Sequence, residues 1–181
     1  MKPLHANARG FSLIEVLVAL IIIGVGMLGI AKIQALAYAS TGTAALRSLA
    51  AIEASSLASA MRANRSYWSV AAANAQQTIQ IASATITSST DVTLTTNFNC
   101  YNVVCGSNNQ VAAYDLQQWA KSLNTLLPGD TATVICYPPT TANYPVGCTI
   151  LVSWLERNTA INSQSAGNIM AVPSYTLYVE P

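Results

Sequence analysis

Between Phe11 and Ala31 the chain runs through 21 residues whose only clearly polar members are Ser12 and Glu15. As a helix this stretch rises about 32 Å, enough to cross a hydrocarbon core of about 30 Å. Lys2 and Arg9 precede it, so the positive-inside bias keeps the N-terminus in the cytoplasm and exports the rest of the chain. Two ordinary readings fit this pattern. A secretory signal peptide has the same basic start and apolar centre, with small-residue cleavage sites at Ala35-Leu36-Ala37 or Ala37-Tyr38-Ala39. An uncleaved anchor keeps the span. Neither gives Glu15 a task, although an acid at the centre of an inserted helix costs about 2.5–3.5 kcal/mol, and less near the interface. Such groups are functional by default.

The 181 residues suffice for one domain plus an anchor. Charged residues make up only 8% of the chain, and their distribution is uneven. Residues 1–65 hold six Lys and Arg against Glu15 and Glu53, whereas residues 66–181 hold Lys121 and Arg157 against five acids. A basic stem therefore carries an acidic body, with no basic patch interleaved with aromatics, which argues against nucleic acid as a partner.

All four cysteines, Cys100, Cys105, Cys136 and Cys148, lie in the exported part. Neither spacing is a Cys-x-x-Cys knuckle, so a disulfide framework is expected and a zinc site is not. Three connectivities exist for four cysteines, and sequence-local pairing is the expected one. The single histidine is His5. If the leader is removed the mature chain has none, which removes His-based triads and most catalytic zinc sites. Nor is there a Gly-x-Ser-x-Gly elbow, so an exported hydrolase is a poor fit. No catalytic residue, metal or cofactor is expected.

The stretch "GFSLIEVLVALIIIGVGMLG", residues 10–29, closely resembles the N-terminus of the type IV pilin superfamily. The resemblance implies that a dedicated membrane peptidase cuts on the cytoplasmic side, between Gly10 and Phe11. Phe11 then becomes the N-methylated first residue, with Gly10 read by the peptidase and Phe11 by its methyltransferase function. The new amine is cationic and sits at the membrane edge, where Glu15 offers an opposite charge to the amine of a neighbouring subunit. Two groups that are each costly in a low-dielectric setting offset one another once paired. Many major pilins carry a proline where this chain has Lys32, and no proline lies between Pro3 and Pro128. Gly24, Gly26 and Gly29 are poor helix formers, at about 1 kcal/mol each relative to Ala. They supply flexibility or allow close helix packing.

Beyond the membrane the helical pattern continues to Asn64. Leu46, Leu49, Leu57 and Met61 share one stripe, filled by Ala50 and Ala60, with Ser48, Ala51, Ser55 and Ser59 opposite. Glu53 falls inside that stripe, where it pairs with a head group or a neighbouring subunit, or stays in water beyond the reach of the head. "MRANR", residues 61–65, closes the stem, its arginines complementing the helix C-terminus. Residues 69–99 are the least readable, with "TITSSTDVTLTT" expected to hold one or two short edge strands. "AAYDLQQWAKSLNTLLPGD" reads as a helix capped near Asp115, with Leu116, Trp119, Ala120, Leu123 and Leu127 on one face and Pro128-Gly129 stopping it. "TATVICY" and "CTILVSWLE" are expected to pair, stapled by Cys136–Cys148, and "SYTLYVE" adds a last strand by alternation. Trp119, Trp154, Tyr175 and Tyr178 are expected in the core.

The expected fold is α+β and pilin-like: a long N-terminal helix packed on a small antiparallel sheet with an extra helix and two disulfides. The expected divisions are a leader at 1–10, a transmembrane half-stem at 11–31, a periplasmic half-stem at 32–65 and a globular head at 66–181. The short helix, the hairpin ending in "VSWLE" and "MRANR" together look like minor pilins of the PilV type, the pilus modification proteins. That likeness implies a non-catalytic minor pilin that helps prime type IV pilus assembly within a tip-located complex. It also implies its partners: other minor pilins and the major pilin, the prepilin peptidase and methyltransferase, an assembly ATPase, an inner-membrane platform, a tip adhesin and membrane lipid. A minor pseudopilin of a type II secretion system is the alternative, a DNA-uptake pseudopilin a further relative. A plain membrane-anchored binding module predicts an unprocessed N-terminus.

Overall fold

The computed structural model describes residues 11–139, 144–157 and 170–181. Two compact units are bounded as Met1–Thr41 and Gly42–Pro181. Helix α1, Leu13–Ala63, contributes to both. In the first unit its side chains are apolar on every side and exposed, Leu13 at 83% and Leu28 at 74%. A helix apolar all round satisfies its own backbone and needs lipid or other helices around it. Helix α1 passes through Gly24, Gly26 and Gly29 without a break, and a Cβ at any of the three would meet no described atom within 4 Å. Any close packing that these glycines permit therefore involves something other than this chain's described residues.

In the second unit the same helix is one-sided. Ala50, Glu53, Ala54, Leu57, Ala58 and Met61 are buried, and Leu46 and Leu49 pack against the core they help to form. This is the expected stripe, except that Ala54 and Ala58 are buried more deeply than Ala60. The helix stops at Ala63, and Asn64 begins a second helix, α2, Arg65–Ala71. Asn64 is buried and donates its side-chain amide to the Asn108 carbonyl at 2.7 Å, which fixes the break. Arg62 sits in the last turn of α1 as expected, but Arg65 opens α2 instead of closing the stem. Tyr67 and Trp68 of α2 are buried edge to face, with ring centroids 5.1 Å apart.

Strand β1, Gln77–Ala82, and strand β2, Thr85–Ser89, form a hairpin. "TITSSTDVTLTT" thus yields one edge strand, β2, while its second half is a 3-10 turn, Val92–Thr95, capped by the Asp91 side chain. Helix α3, Asn108–Leu126, starts at the N-cap Ser107, so Asp115 lies inside the helix and does not cap it. The spacing Ser107-x-x-Gln110 accounts for the earlier start, because Gln110 reaches back to accept the Gly106 amide at 2.9 Å. The predicted face is buried: Leu116, Trp119, Ala120, Leu123 and the C-cap Leu127.

Strands β3, Thr131–Tyr137, and β4, Gly147–Ser153, come next. A minor pair, β5, Glu156–Arg157, and β6, Met170–Ala171, precedes the last strand, β7, Ser174–Val179. The main sheet has the order β2-β1-β3-β4-β7 and is antiparallel throughout. Its inward residues alternate as a half-buried strand requires, with Val134 opposite both Ile79 and Ile150, and Cys136 opposite Cys148. Cys136 and Cys148 are bonded, as are Cys100 and Cys105. Strand β4 ends before Trp154 because Trp154 and Leu155 turn their amides to Pro173 and Pro128. Tyr175 packs against the core, but Tyr178 pairs with Thr149 on the outer face and is 77% exposed, so it is not a core residue.

Two backbone positions test the fold directly. Gly129 has φ +61°, and a Cβ there would collide with the Leu155 side chain. Ser83 and Ala84 turn the β1–β2 hairpin at φ 50° and 66° without the glycine or asparagine such a turn favours. Gly129→Ala is expected to cost about 1–3 kcal/mol, whereas Ala84→Gly is expected to stabilise by about 0.5–1 kcal/mol. Urea unfolding of the detergent-solubilised chain, followed by tryptophan fluorescence, reads both; equal midpoints would refute the backbone argument.

Candidate functional site

The chain enters α1 through Phe11 and Ser12. The Ser12 carbonyl accepts the amides of Glu15 at 3.0 Å and Val16 at 3.3 Å, which seeds the helix. Phe11 is 81% exposed, and Glu15 lies exposed in the first turn. A carboxylate in a first turn gains about 0.3–1 kcal/mol from the helix dipole. Among the described residues Glu15 makes no ion pair. Its negative charge thus stands at the head of an exposed apolar helix. Gly10, like Lys2, His5 and Arg9, lies outside the described residues. Among the described residues one helix, α1, is long and apolar enough to cross a membrane.

In the second unit the acids find different solutions. Glu53 is buried, with 7% exposure, yet it is satisfied: its Oε1 accepts the Ser122 hydroxyl and its carbonyl accepts Trp119 Nε1, both at 2.9 Å. Of the alternatives the sequence left open, pairing with the head is the one the structure adopts. Arg47 and Glu156 form an ion pair at 3.1 Å in which the arginine is exposed and the glutamate buried. Asp91 accepts the Tyr67 hydroxyl at 2.7 Å and both donors of Thr93 at 2.9 and 2.6 Å. Neither Arg47–Glu156 nor Tyr67–Asp91 is legible in the sequence, because both join segments that no local pattern connects.

These contacts move proton affinities. Burial pushes the Asp91 carboxyl up, but the hydrogen bonds from Thr93 and Tyr67 together hold it below the usual carboxylate range. Burial, then the bond to Asp91, push the Tyr67 phenol far above its ordinary value. Burial raises Asp115 and Asp130. Among the described residues no three His, Cys, Asp or Glu side chains gather as a metal site would require.

Residues 5–31 match the family model of the prokaryotic N-terminal methylation motif. The chain carries that motif. The match spans the Gly10–Phe11 junction, Glu15 and the apolar run through Ala31, and it supports a type IV pilin or pseudopilin. No curated protein and no solved structure matched the chain. The long apolar helix, antiparallel sheet, additional helices and two disulfides give the chain the α+β pilin-like fold. Proteins with this motif are structural rather than catalytic. The motif implies contact with other pilins and with the prepilin peptidase, and it fits anchoring in the inner membrane before incorporation into a pilus.

The Asp91 site gives a pH test. Because its folded pKa is depressed, its contribution is full above the unfolded value of about 3.9 and is lost as pH falls through the folded value. Asp91→Ala is expected to cost about 1–2 kcal/mol at pH 7, discounted for partial exposure. Chemical unfolding at several pH values should show the gap to the parent chain narrowing as pH falls below the unfolded carboxylate value; a gap independent of pH would contradict the assignment.

Proposed function

We propose that the chain is a minor pilin that helps prime assembly of a type IV pilus within a tip complex. The observation that carries this reading is a single carboxylate, Glu15, in the first turn of an exposed apolar helix, inside a matched methylation motif. Cleavage between Gly10 and Phe11 leaves a cationic, N-methylated Phe11, and Glu15 pairs with the corresponding amine of a neighbouring subunit. An uncompensated carboxylate at the membrane edge is disfavoured. That cost is relieved only when a subunit reaches its neighbour, so the pairing selects correctly placed subunits.

In this reading residues 1–10 are the leader, 11–31 the membrane half of the stem, 32–65 its periplasmic half and 66–181 the head. The N-terminus is cytoplasmic and the head periplasmic. The subunit is non-catalytic, with the peptidase and methyltransferase, an inner-membrane platform, other minor pilins, the major pilin and a tip adhesin as partners. The likeness of "MRANR" and "VSWLE" to the PilV type supports the minor-pilin assignment. The disulfides support an oxidising destination.

Intact mass and N-terminal sequencing of the protein from its native membranes should find a chain starting at N-methyl-Phe11. Glu15→Ala should leave membrane levels unchanged while reducing co-purification with other pilins by roughly ten-fold or more, equivalent to about 1.4 kcal/mol or more. A start at Met1, Tyr38 or Ser40, or full co-purification of the variant, would overturn the proposal. Deletion that abolishes enzyme secretion and leaves piliation intact would move the protein to a type II secretion pseudopilin.

A further inference from the structure

The two disulfides occupy opposite environments. Cys136 and Cys148 face each other across β3 and β4 and are 1% and 2% exposed. An attacking thiolate reaches them only if the sheet opens. Cys100 and Cys105 are both partly exposed, and every residue between them is exposed, Tyr101 at 86%, Val103 at 70% and Val104 at 92%. Loop closure by the shorter ring contributes less chain entropy than closure by the longer one, so its opening is less opposed.

This loop is ordered although its apolar side chains have no cover. Asn99 accepts the amides of Tyr101 and Asn102 through its side chain and that of Val103 through its carbonyl. Gln110 holds the Gly106 amide at the other end. A pre-organised apolar projection lowers the ordering cost of binding. No charged residue lies between Val92 and Tyr114, so no charge within this segment repels a thiolate. Cys105 stands two residues before the N-cap of α3, whose first turn holds no acid and whose Ser107 makes no side-chain cap. The positive end of that helix favours the thiolate of Cys105.

We propose that Cys100–Cys105 is a thiol–disulfide exchange site for a dithiol protein of the Cys-x-x-Cys type, which docks on Tyr101, Val103 and Val104, while Cys136–Cys148 is a permanent staple. The partner's thiolate attacks Cys100 Sγ, the Cys100–Cys105 bond breaks, and Cys105 leaves as a thiolate. The partner's second thiolate then attacks its own sulfur in the mixed disulfide and releases Cys100. The partner ends as a disulfide, this chain as two thiols, and the two thiolates released take protons from water. A small charged thiol such as glutathione gains nothing from the apolar loop, so the protein dithiol is the fitting reagent.

The test uses the oxidised full-length chain in detergent, with a reduced thioredoxin-fold protein as the probe and dithiothreitol as the comparison. Alkylation followed by peptide mass spectrometry should label Cys100 and Cys105 at least ten-fold faster than Cys136 and Cys148. V103S/V104S, at exposed positions that leave the core untouched, should slow the protein reaction three- to ten-fold and leave the dithiothreitol rate unchanged. A probe lacking its second cysteine should be trapped on Cys100. Equal labelling of both pairs would overturn the exchange site. An unchanged protein rate in V103S/V104S would overturn the docking surface, and trapping on Cys105 would overturn the assigned direction.

Discussion

The stripe of α1 from Ala50 to Met61 is the surface on which the second unit is built. Its buried apolar side chains are of two sizes, three alanines and the larger Leu57 and Met61. Ala50, Ala54 and Ala58 are nearly inaccessible, and Leu57 and Met61 join the same core as Val134, Ile150 and Val152. Glu53 interrupts the stripe without weakening it, because Trp119 and Ser122 of α3 meet its backbone and side chain together. An acid in a core is costly alone and specifying when satisfied. It gives α3 one rotation and one height against α1, which apolar contact by itself would leave less defined.

The same helix obeys a different rule before Gly42. There the apolar residues run all round, no described part of the chain covers them, and the only acid is at the first turn. One continuous secondary structure thus carries two solvation problems, one answered within the chain and one that lipid or other subunits must answer. The pilin-like fold is the arrangement in which both answers are compatible.

Much of this is readable from the residues. The apolar run and the Leu46–Met61 spacing give α1. The two segments expected to pair give β3 and β4, alternation gives β7, and the buried face of α3 is the predicted one. Strand β1 escapes a sequence reading because "QTIQIA" is half polar and its turn, Ser83-Ala84, lacks the residues that announce a hairpin. The start of α3 is hidden because Asn108 and Asn109 are weak helix formers, and only the capping spacing from Ser107 to Gln110 marks it. The stem closes at Ala63 rather than Arg65 because its break depends on Asn108, far away in sequence. At the site, Phe11 and Glu15 carry a local pattern, whereas the partners of Glu53, Asp91 and Glu156 exist only once the fold has formed.

The strand order has a consequence for how the chain reaches this state. Strands β1 and β2 are adjacent in sequence, as are β3 and β4 in order, so each pair forms locally. The joint between them, β1 on β3, pairs Ala82 with Thr131 and so closes a loop of roughly fifty residues containing all of α3. Loop closure of that kind slows folding more than it lowers stability. The two hairpins are therefore expected to stand as separate pieces until α3 has settled on α1, and the middle of the finished sheet is the last of it to be made.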